Sequence, residues 1–387
     1  MSYIPYGKQA ISEQDIEAVV SVLQSDFLTQ GPQVPRFEST LTAYTGAKFA
    51  CAMNSATSSL HVACRALELT EDDILWTSPV TFVASANCGL YCGATVDFVD
   101  IDLATYNLCP KKLKIKLQQA AENNCLPKVL VAVHLCGQPC DMAEIYTLST
   151  QYGFKIIEDA SHAIGACYQH LSIGACEYSD ITVFSFHPVK IVTTAEGGAA
   201  LTNDQDLAEK MHLLRSHGIT RNPEQMTEPT HGDWYYQQID LGYNYRMTEL
   251  QAALGVSQMN RVEHFVERRN QLAQRYNETL AKLPVKLPQL IPEVRSAFHL
   301  YVIQLELEKI GKSRQDIFTT LKNEGLGINV HYIPVHTQPY FKALGFSEGD
   351  FPNAENYYRR AISIPLFHAM TDAEQGHVID SLYNVLR

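Results

Sequence analysis

A lysine, an aspartate, a turn of small residues and a phenylalanine carry most of the chemistry this sequence can offer. Lys190 lies in Ser185-Phe186-His187-Pro188-Val189-Lys190-Ile191-Val192-Thr193-Thr194-Ala195-Glu196-Gly197-Gly198-Ala199. It comes after an apolar run and precedes a Gly-Gly pair that lets backbone turn sharply or approach a ligand. Asp159 closes the run Lys155-Ile156-Ile157-Glu158-Asp159, 31 residues before Lys190. Open α/β sheets bind ligands beyond the carboxyl ends of their strands, and both side chains fall at such ends. Asn54-Ser55-Ala56-Thr57-Ser58-Ser59 supplies small residues and free N–H groups at a helix start, where the dipole favours an anion. Phe82, after Pro79-Val80-Thr81, offers a flat face for an aromatic ligand. Taken singly, each feature has an ordinary explanation as a solvated lysine, a helix cap or a core aromatic. Together they suit pyridoxal phosphate, which needs a Schiff-base lysine, a carboxylate opposite its pyridinium nitrogen and a phosphate cradle. The carboxylate favours the protonated ring, which draws electrons from the substrate carbon.

The elements that must position these residues show as alternating patterns. Ser12-Glu13-Gln14-Asp15 resembles a capping box, and Ile16, Val19, Val20 and Leu23 come next at helical spacing. A second helix is expected over 58–67. Short apolar runs at 74–76, 95–99, 128–133, 155–158 and 181–184 read as strands, with helical patterns at 82–93, 110–122 and 140–152 between them. That alternation predicts an α/β fold with a mostly parallel sheet. From 248 to about 280 one long helix is expected to lead into a smaller domain. A strand at 299–307, a helix at 313–325 and a strand at 327–332 then suggest a compact α+β unit. The division is a large domain over 1–245, and a linking helix with a small domain over 246–387.

Composition bounds the function classes. The 387 residues carry 30 Lys+Arg against 42 Asp+Glu, and a net charge of −12 excludes a general basic footprint for nucleic acid. With 46% apolar and 19% charged residues, long disorder is not expected. No basic start with an apolar run opens the chain, and no stretch reaches the length of a membrane span. The ten cysteines include no C-x2-C pair and sit mostly in apolar segments, so reduced core thiols are expected in a soluble cytoplasmic protein. No metal site is expected.

With Asp159-x-x-His162 and Gly242-Tyr243-Asn244-Tyr245-Arg246-Met247 added, the sequence resembles the DegT/DnrJ/EryC1/StrS sugar aminotransferases over nearly its whole length. The likeness implies fold type I, with a seven-stranded large domain and a small α+β domain. It is nearest the branch that serves pseudaminic acid synthesis, through Asp26-Phe27-Leu28-Thr29-Gln30-Gly31, Arg215-Ser216-His217-Gly218-Ile219 and His299-Leu300-Tyr301. Val330-His331-Tyr332-x-Pro334 and Ser363-Ile364-Pro365-x-x-His368 extend it.

The resemblance implies roles by position. Lys190 would hold pyridoxal 5'-phosphate and move protons. Asp159 would face the ring nitrogen with His162 nearby, Ser185 and the backbone of Ala56 and Thr57 would hold the phosphate, and Phe82 would stack on the ring. Asn244 would reach the phosphate in the neighbouring subunit of a homodimer. Tyr6, Asp26, Phe27, Leu28, Thr29, Asn329, Val330, His331 and Tyr332 match positions lining the nucleotide-sugar site, which Ala56, Ser185 and Asn244 also border. At the position of Asn329 some of that branch carry Gln. The implied reaction moves the amino group of L-glutamate to C4 of UDP-2-acetamido-2,6-dideoxy-β-L-arabino-hex-4-ulose. Arg215, His217, Arg221 and Arg246 are candidate anion partners, with surface salt bridges the competing role. Aminotransferases for bacillosamine, perosamine or aminoarabinose sugars share most of these motifs, and a cofactor-binding regulator stays open. Relatives that dehydrate sugars carry histidine where this chain has Lys190.

Overall fold

In the computed structural model, which describes residues 3–387, the apolar runs pair into one seven-stranded sheet. Its strands are β1 (Phe49–Met53), β2 (Ile74–Thr77), β3 (Thr95–Phe98), β4 (Val129–Val133), β5 (Lys155–Asp159), β6 (Ile181–Ser185) and β7 (Gly198–Thr202). The spatial order is β1-β7-β6-β5-β4-β2-β3. Only β7 runs against its neighbours. The carboxyl ends of β1, β2, β4, β5 and β6 therefore share one edge.

Alternate residues of the inner strands feed two separate cores, as the period of two requires. Leu130, Ile156 and Phe184 join Phe37, Leu117 and Ile145 on one face. Val131, Ile157 and Val183 join Val62, Ala63 and Ala86 on the other. The first face is covered by α2 (Gln33–Thr45), α5 (Pro110–Glu122) and α6 (Met142–Tyr152), the second by α3 (Ala56–Ala66) and α4 (Ala84–Tyr91). Helices on both faces explain why β4, β6 and β7 are buried at every position. Neither β1 nor β7 is among the strands expected from the sequence pattern. Phe49-Ala50-Cys51-Ala52-Met53 has no β-branched residue, and β7 opens on a glycine that reads as a turn.

α1 (Glu13–Leu23) starts with the expected capping box, Ser12 and Asp15 bonding each other's backbone. The long helix expected from 248 is two helices instead, α8 (Glu249–Met259) and α9 (Val262–Leu280), after α7 (Gln205–Arg215). Buried Asp15 causes the break: it accepts from Ser257 at 2.6 Å, from Gln258 at 2.7 Å and from Arg261. That polar knot holds α8 on α1, and the backbone of Arg261 leaves the helical region.

α9 enters a third core with β8 (Val285–Lys286), β9 (Tyr301–Leu305), β10 (Ala361–Ile364), α10 (Arg314–Asn323) and α11 (Asp372–Leu386). These three strands are antiparallel, in the order β8-β9-β10. The strand expected at 327–332 does not form; residues 327–332 make one bridge, Asn329 to Ser363. From there the chain turns toward the large sheet, and Tyr357 Oη satisfies the His331 carbonyl at 2.6 Å in place of a strand partner. All ten cysteines are free thiols, six of them buried. Among the described residues, no helix is long and apolar enough to cross a membrane.

Candidate active site

A cavity of about 470 Å³ opens at the shared carboxyl edge of the sheet. Its floor is built by the turns and helix starts at the strand ends. After β1 comes the start of α3, where Ser55 is the N-cap and its Oγ accepts the Ser58 N–H at 3.1 Å. The N–H groups of Ala56 and Thr57, in the first turn, have no intrahelical acceptor, and both residues line the cavity. Gly198 has its reason here: a Cβ on it would stand 2.4 Å from the Ala56 nitrogen. Only bare backbone lets β7 press against the helix start. A helix start of this kind favours an anion, and Ser185 at the end of β6 lines the same cavity.

Asp159, at the end of β5, is 6% exposed. Its carboxylate accepts from Ser85 Oγ at 2.6 Å and from the Ser161 N–H at 3.1 Å. Ser85 in turn pairs with Thr81 Oγ1 at 2.7 Å, so its single proton is free for Asp159 when Thr81 donates. No cationic side chain among the described residues forms an ion pair with Asp159. A protonated ring nitrogen would supply the missing positive charge. The neighbouring Glu158 points to the opposite face, where it meets His134 Nε2 at 2.7 Å.

Lys190 lines the same cavity after β6. Burial pushes its ammonium down to about 8, against the opposing pull of Asp159. His162 accepts the Cys136 N–H on Nδ1 at 3.2 Å, so its proton belongs on Nε2, 3.2 Å from Tyr332 Oη. Burial, then the charges of Lys190 and His331, hold His162 well below its ordinary value, and it is neutral. His331 is likewise lowered to about 4, by burial first and Lys190 second. Its Nδ1 lies 2.8 Å from Ser363 Oγ. Phe82 remains 58% exposed at the mouth, with its ring 6.2 Å from that of Tyr332. A lysine amine, a buried carboxylate, free helix N–H groups and an open aromatic face are what pyridoxal phosphate requires. The donor set fits.

Of the residues singled out from the sequence, the cavity thus gathers Ala56, Thr57, Phe82, Asp159, His162, Ser185 and Lys190, together with Tyr6, His331 and Tyr332. Others lie outside it. Asp26, Phe27, Leu28 and Thr29 are exposed beyond α1, with Thr29 bridged to Thr248. Asn244 is exposed and bridged to Ser216, while Asn329 makes a single bridge to Ser363 with Val330 next to it in the chain. Three candidate anion partners are engaged elsewhere. Arg215 donates to Glu38 at 2.6 Å and to the Ala52 carbonyl at 2.8 Å, Arg246 to Ser216 Oγ at 3.4 Å, and Arg221 lies over the Tyr236 ring. Ser85 and Glu196 were not singled out. Ser85 lies one helical turn beyond Phe82, a spacing that could have marked it. Glu196 lines the cavity from within the Lys190 stretch.

The profile of the DegT/DnrJ/EryC1/StrS aminotransferase family matches residues 9–383. The spore coat polysaccharide biosynthesis protein SpsC of Bacillus subtilis is 38% identical over 100% of this chain and 97% of its own. The UDP-4-amino-4,6-dideoxy-N-acetyl-beta-L-altrosamine transaminase of Campylobacter jejuni is 36% identical over 99% and 97%. Among solved structures, Helicobacter pylori PseC, an aminotransferase involved in the biosynthesis of pseudoaminic acid, superposes with a TM-score of 0.90. It is 29% identical, covering 100% of this chain and 99% of that one. The chain therefore belongs to the DegT/DnrJ/EryC1/StrS aminotransferase family, as a fold type I, pyridoxal-phosphate-dependent sugar aminotransferase.

Proposed function

We propose that this enzyme transfers the amino group of L-glutamate to C4 of UDP-2-acetamido-2,6-dideoxy-β-L-arabino-hex-4-ulose, in pseudaminic acid synthesis, as a cytoplasmic homodimer. The observation that carries the chemistry is Lys190, whose amine is brought down to about 8 beside the buried carboxylate of Asp159. The sugar is supported by likeness to the Campylobacter enzyme, whose name gives a UDP-linked 4-amino-4,6-dideoxy altrosamine, and to the Helicobacter enzyme, described as acting in the biosynthesis of pseudoaminic acid.

Pyridoxal phosphate, when bound, supplies the electron sink that lets an amino group leave one carbon and join another. The chain's own residues do the rest. Ala56 and Thr57 N–H groups, with Ser185, would hold the phosphate. Asp159, kept in place by Ser85 and Ser161, would keep the ring nitrogen protonated. Lys190 Nζ, neutral at modest cost, would take the proton from Cα of glutamate and later deliver one to C4 of the sugar. Neutral His162 and His331 add no positive charge that would raise the cost of a Lys190 cation. The balance closes: glutamate leaves as 2-oxoglutarate, and the ketone becomes an amine.

Asp26 to Thr29 and Asn244 are exposed on the single chain, which suits surfaces completed by a second subunit. In that arrangement Asn244 would reach the partner's phosphate. The likeness to SpsC favours a second reading, in which another 4-keto nucleotide sugar is the acceptor. A panel of UDP-linked 4-keto sugars with both C5 configurations, each with glutamate, tests the choice. Preferred turnover of the L-arabino ketone is expected. Equal turnover of all, or preference for the other C5 series, would overturn the assignment.

A further inference from the structure

The helix Pro352–Arg360 comes late in the chain, yet Ala354 and Tyr357 on it are buried in the second core with Phe98 of β3 and Val131 of β4. Its start has no cap of its own: Phe351, at the N-cap, has no side-chain oxygen, and Pro352 has no N–H. Asp100, two residues beyond β3, caps it from the other end of the sequence. Its Oδ2 accepts the Asn353 N–H at 3.0 Å and its Oδ1 the Ala354 N–H at 2.9 Å. Asn353 Nδ2 answers by donating to the Ile101 carbonyl at 2.8 Å. Asp100 is 6% exposed and pairs with Lys112 Nζ at 2.6 Å, and the helix dipole favours its charge there. Phe351 fixes the approach, its ring edge-on to that of Phe98 at 5.7 Å.

What the helix holds is one wall of the active site. Tyr357 is fully buried, its ring 4.9 Å from that of Tyr106, and its Oη donates to the His331 carbonyl at 2.6 Å. No backbone N–H among the described residues reaches that carbonyl, so without the phenol it would be a buried acceptor left empty. The same peptide unit joins two residues that line the cavity, His331 and Tyr332. His331 Nδ1 meets Ser363 Oγ at 2.8 Å, and Tyr332 Oη meets His162 Nε2 at 3.2 Å. His162 Nε2 carries the proton of that pair, because its Nδ1 accepts from the Cys136 N–H. The Tyr332 hydrogen is therefore left for a ligand in the cavity. Both contacts need the peptide between 331 and 332 in one orientation, and Tyr357 holds its oxygen.

We propose that Tyr357 is a positioning residue for the acceptor side of the active site, and that Asp100 acts through it. Asp100 sets where the helix begins, the helix sets Tyr357 Oη, and that oxygen sets the peptide from which His331 and Tyr332 project. Neither Asp100 nor Tyr357 lines the cavity itself. This role rests on the reading above, in which His331 and Tyr332 border the nucleotide sugar. The opposite side of the cavity has supports of its own, Ser85 and Ser161 at Asp159 and the Ser55 cap at α3. Loosening the wall at 331–332 should therefore disturb the sugar step and spare the glutamate step.

Tyr357→Phe keeps the ring and removes only the oxygen that His331 uses. In the holoenzyme it should raise KM for the UDP-linked 4-keto sugar about tenfold, the effect of a buried carbonyl losing its donor. The single-turnover rate at which glutamate bleaches the cofactor should stay within about twofold of wild type. Asp100→Asn leaves one acceptor oxygen for two N–H groups and should raise the same KM about threefold. Added to Tyr357→Phe it should change little, since it acts through the phenol. An unchanged sugar KM in Tyr357→Phe, or a glutamate rate that falls in proportion, would overturn the proposal. Effects of the two substitutions that simply multiply would overturn the link from Asp100. Should one variant fail to fold, the other gives both readouts. The ketone used is the one that wild type turns over fastest, so a different sugar leaves this test standing, whereas a wild type that glutamate does not bleach marks failure of the proposed chemistry instead.

Discussion

Asp159 and Asn244 are assigned to one site by their sequence motifs, yet they stand in opposite physical circumstances. Asp159 is buried at a strand end, with both hydrogen bonds to its carboxylate supplied from its own chain. Asn244 is exposed, tied by its backbone to Ser216 and outside the cavity. The contrast extends to their neighbours. The cofactor half of the cavity is over-determined by regular elements: strand ends, a helix cap, and a glycine that no side chain can replace without pushing on Ala56. The nucleotide-sugar contacts proposed above would rest on exposed segments outside the cavity, such as Asp26 to Thr29. One chain suffices to build the place where bonds change. Under the proposed function, choosing the sugar would fall to surface segments that meet in the dimer.

That contrast can be tested at both ends. Asn244→Ala should lower activity about tenfold or more, the cost of one hydrogen bond to a charged phosphate. If Asn244 serves the neighbouring subunit, co-expression with Lys190→Ala yields mixed dimers with one intact site. Half of the dimers are then mixed and each holds one intact site of two, so activity returns to about a quarter of that of wild type, whereas a cis role for Asn244 gives no recovery. Ser85→Ala, at the buried end, removes one of two donors to Asp159 and should lower kcat about tenfold. An unchanged kcat would mean that Ser161 alone positions the carboxylate. The smallest effect is in pH. Because burial lowers Lys190 to about 8, the neutral amine gains population as pH rises, and kcat should climb through about 8 and level off. Asp159 opposes that lowering, so Asp159→Asn should move the limb to lower pH. A wild-type limb near 10, the ordinary lysine range, would contradict the burial argument.

Legibility in the sequence divides the same way. Lys190, Asp159 and the Ser55 cap are readable because strand ends and helix starts leave marks within a few residues. The Ser12 capping box is readable for the same reason. β1 and β7 escape the pattern because their burial comes from tertiary packing, with α2, α3 and α7 against them and each strand paired to the other about 150 residues away, which lets alanine, cysteine and glycine serve as strand residues. The break between α8 and α9 depends on Asp15, more than 240 residues earlier, and no local pattern announces it. Ser85 is an intermediate case, with a helical spacing from Phe82 that points inward only once β5 is beside it. Asp26 to Thr29 and Asn329 are reached through family likeness alone, and their surroundings in one chain give them no ligand to hold.

The central claim is that Lys190 holds pyridoxal phosphate in this cavity and that glutamate discharges it. Absorbance of the protein reconstituted with the cofactor tests this most directly. A yellow protein bleached by L-glutamate, with Lys190→Ala remaining colourless under the same treatment, is the expected result. A wild-type protein that stays colourless after incubation with pyridoxal phosphate, or a yellow one that glutamate leaves unchanged, would contradict the account.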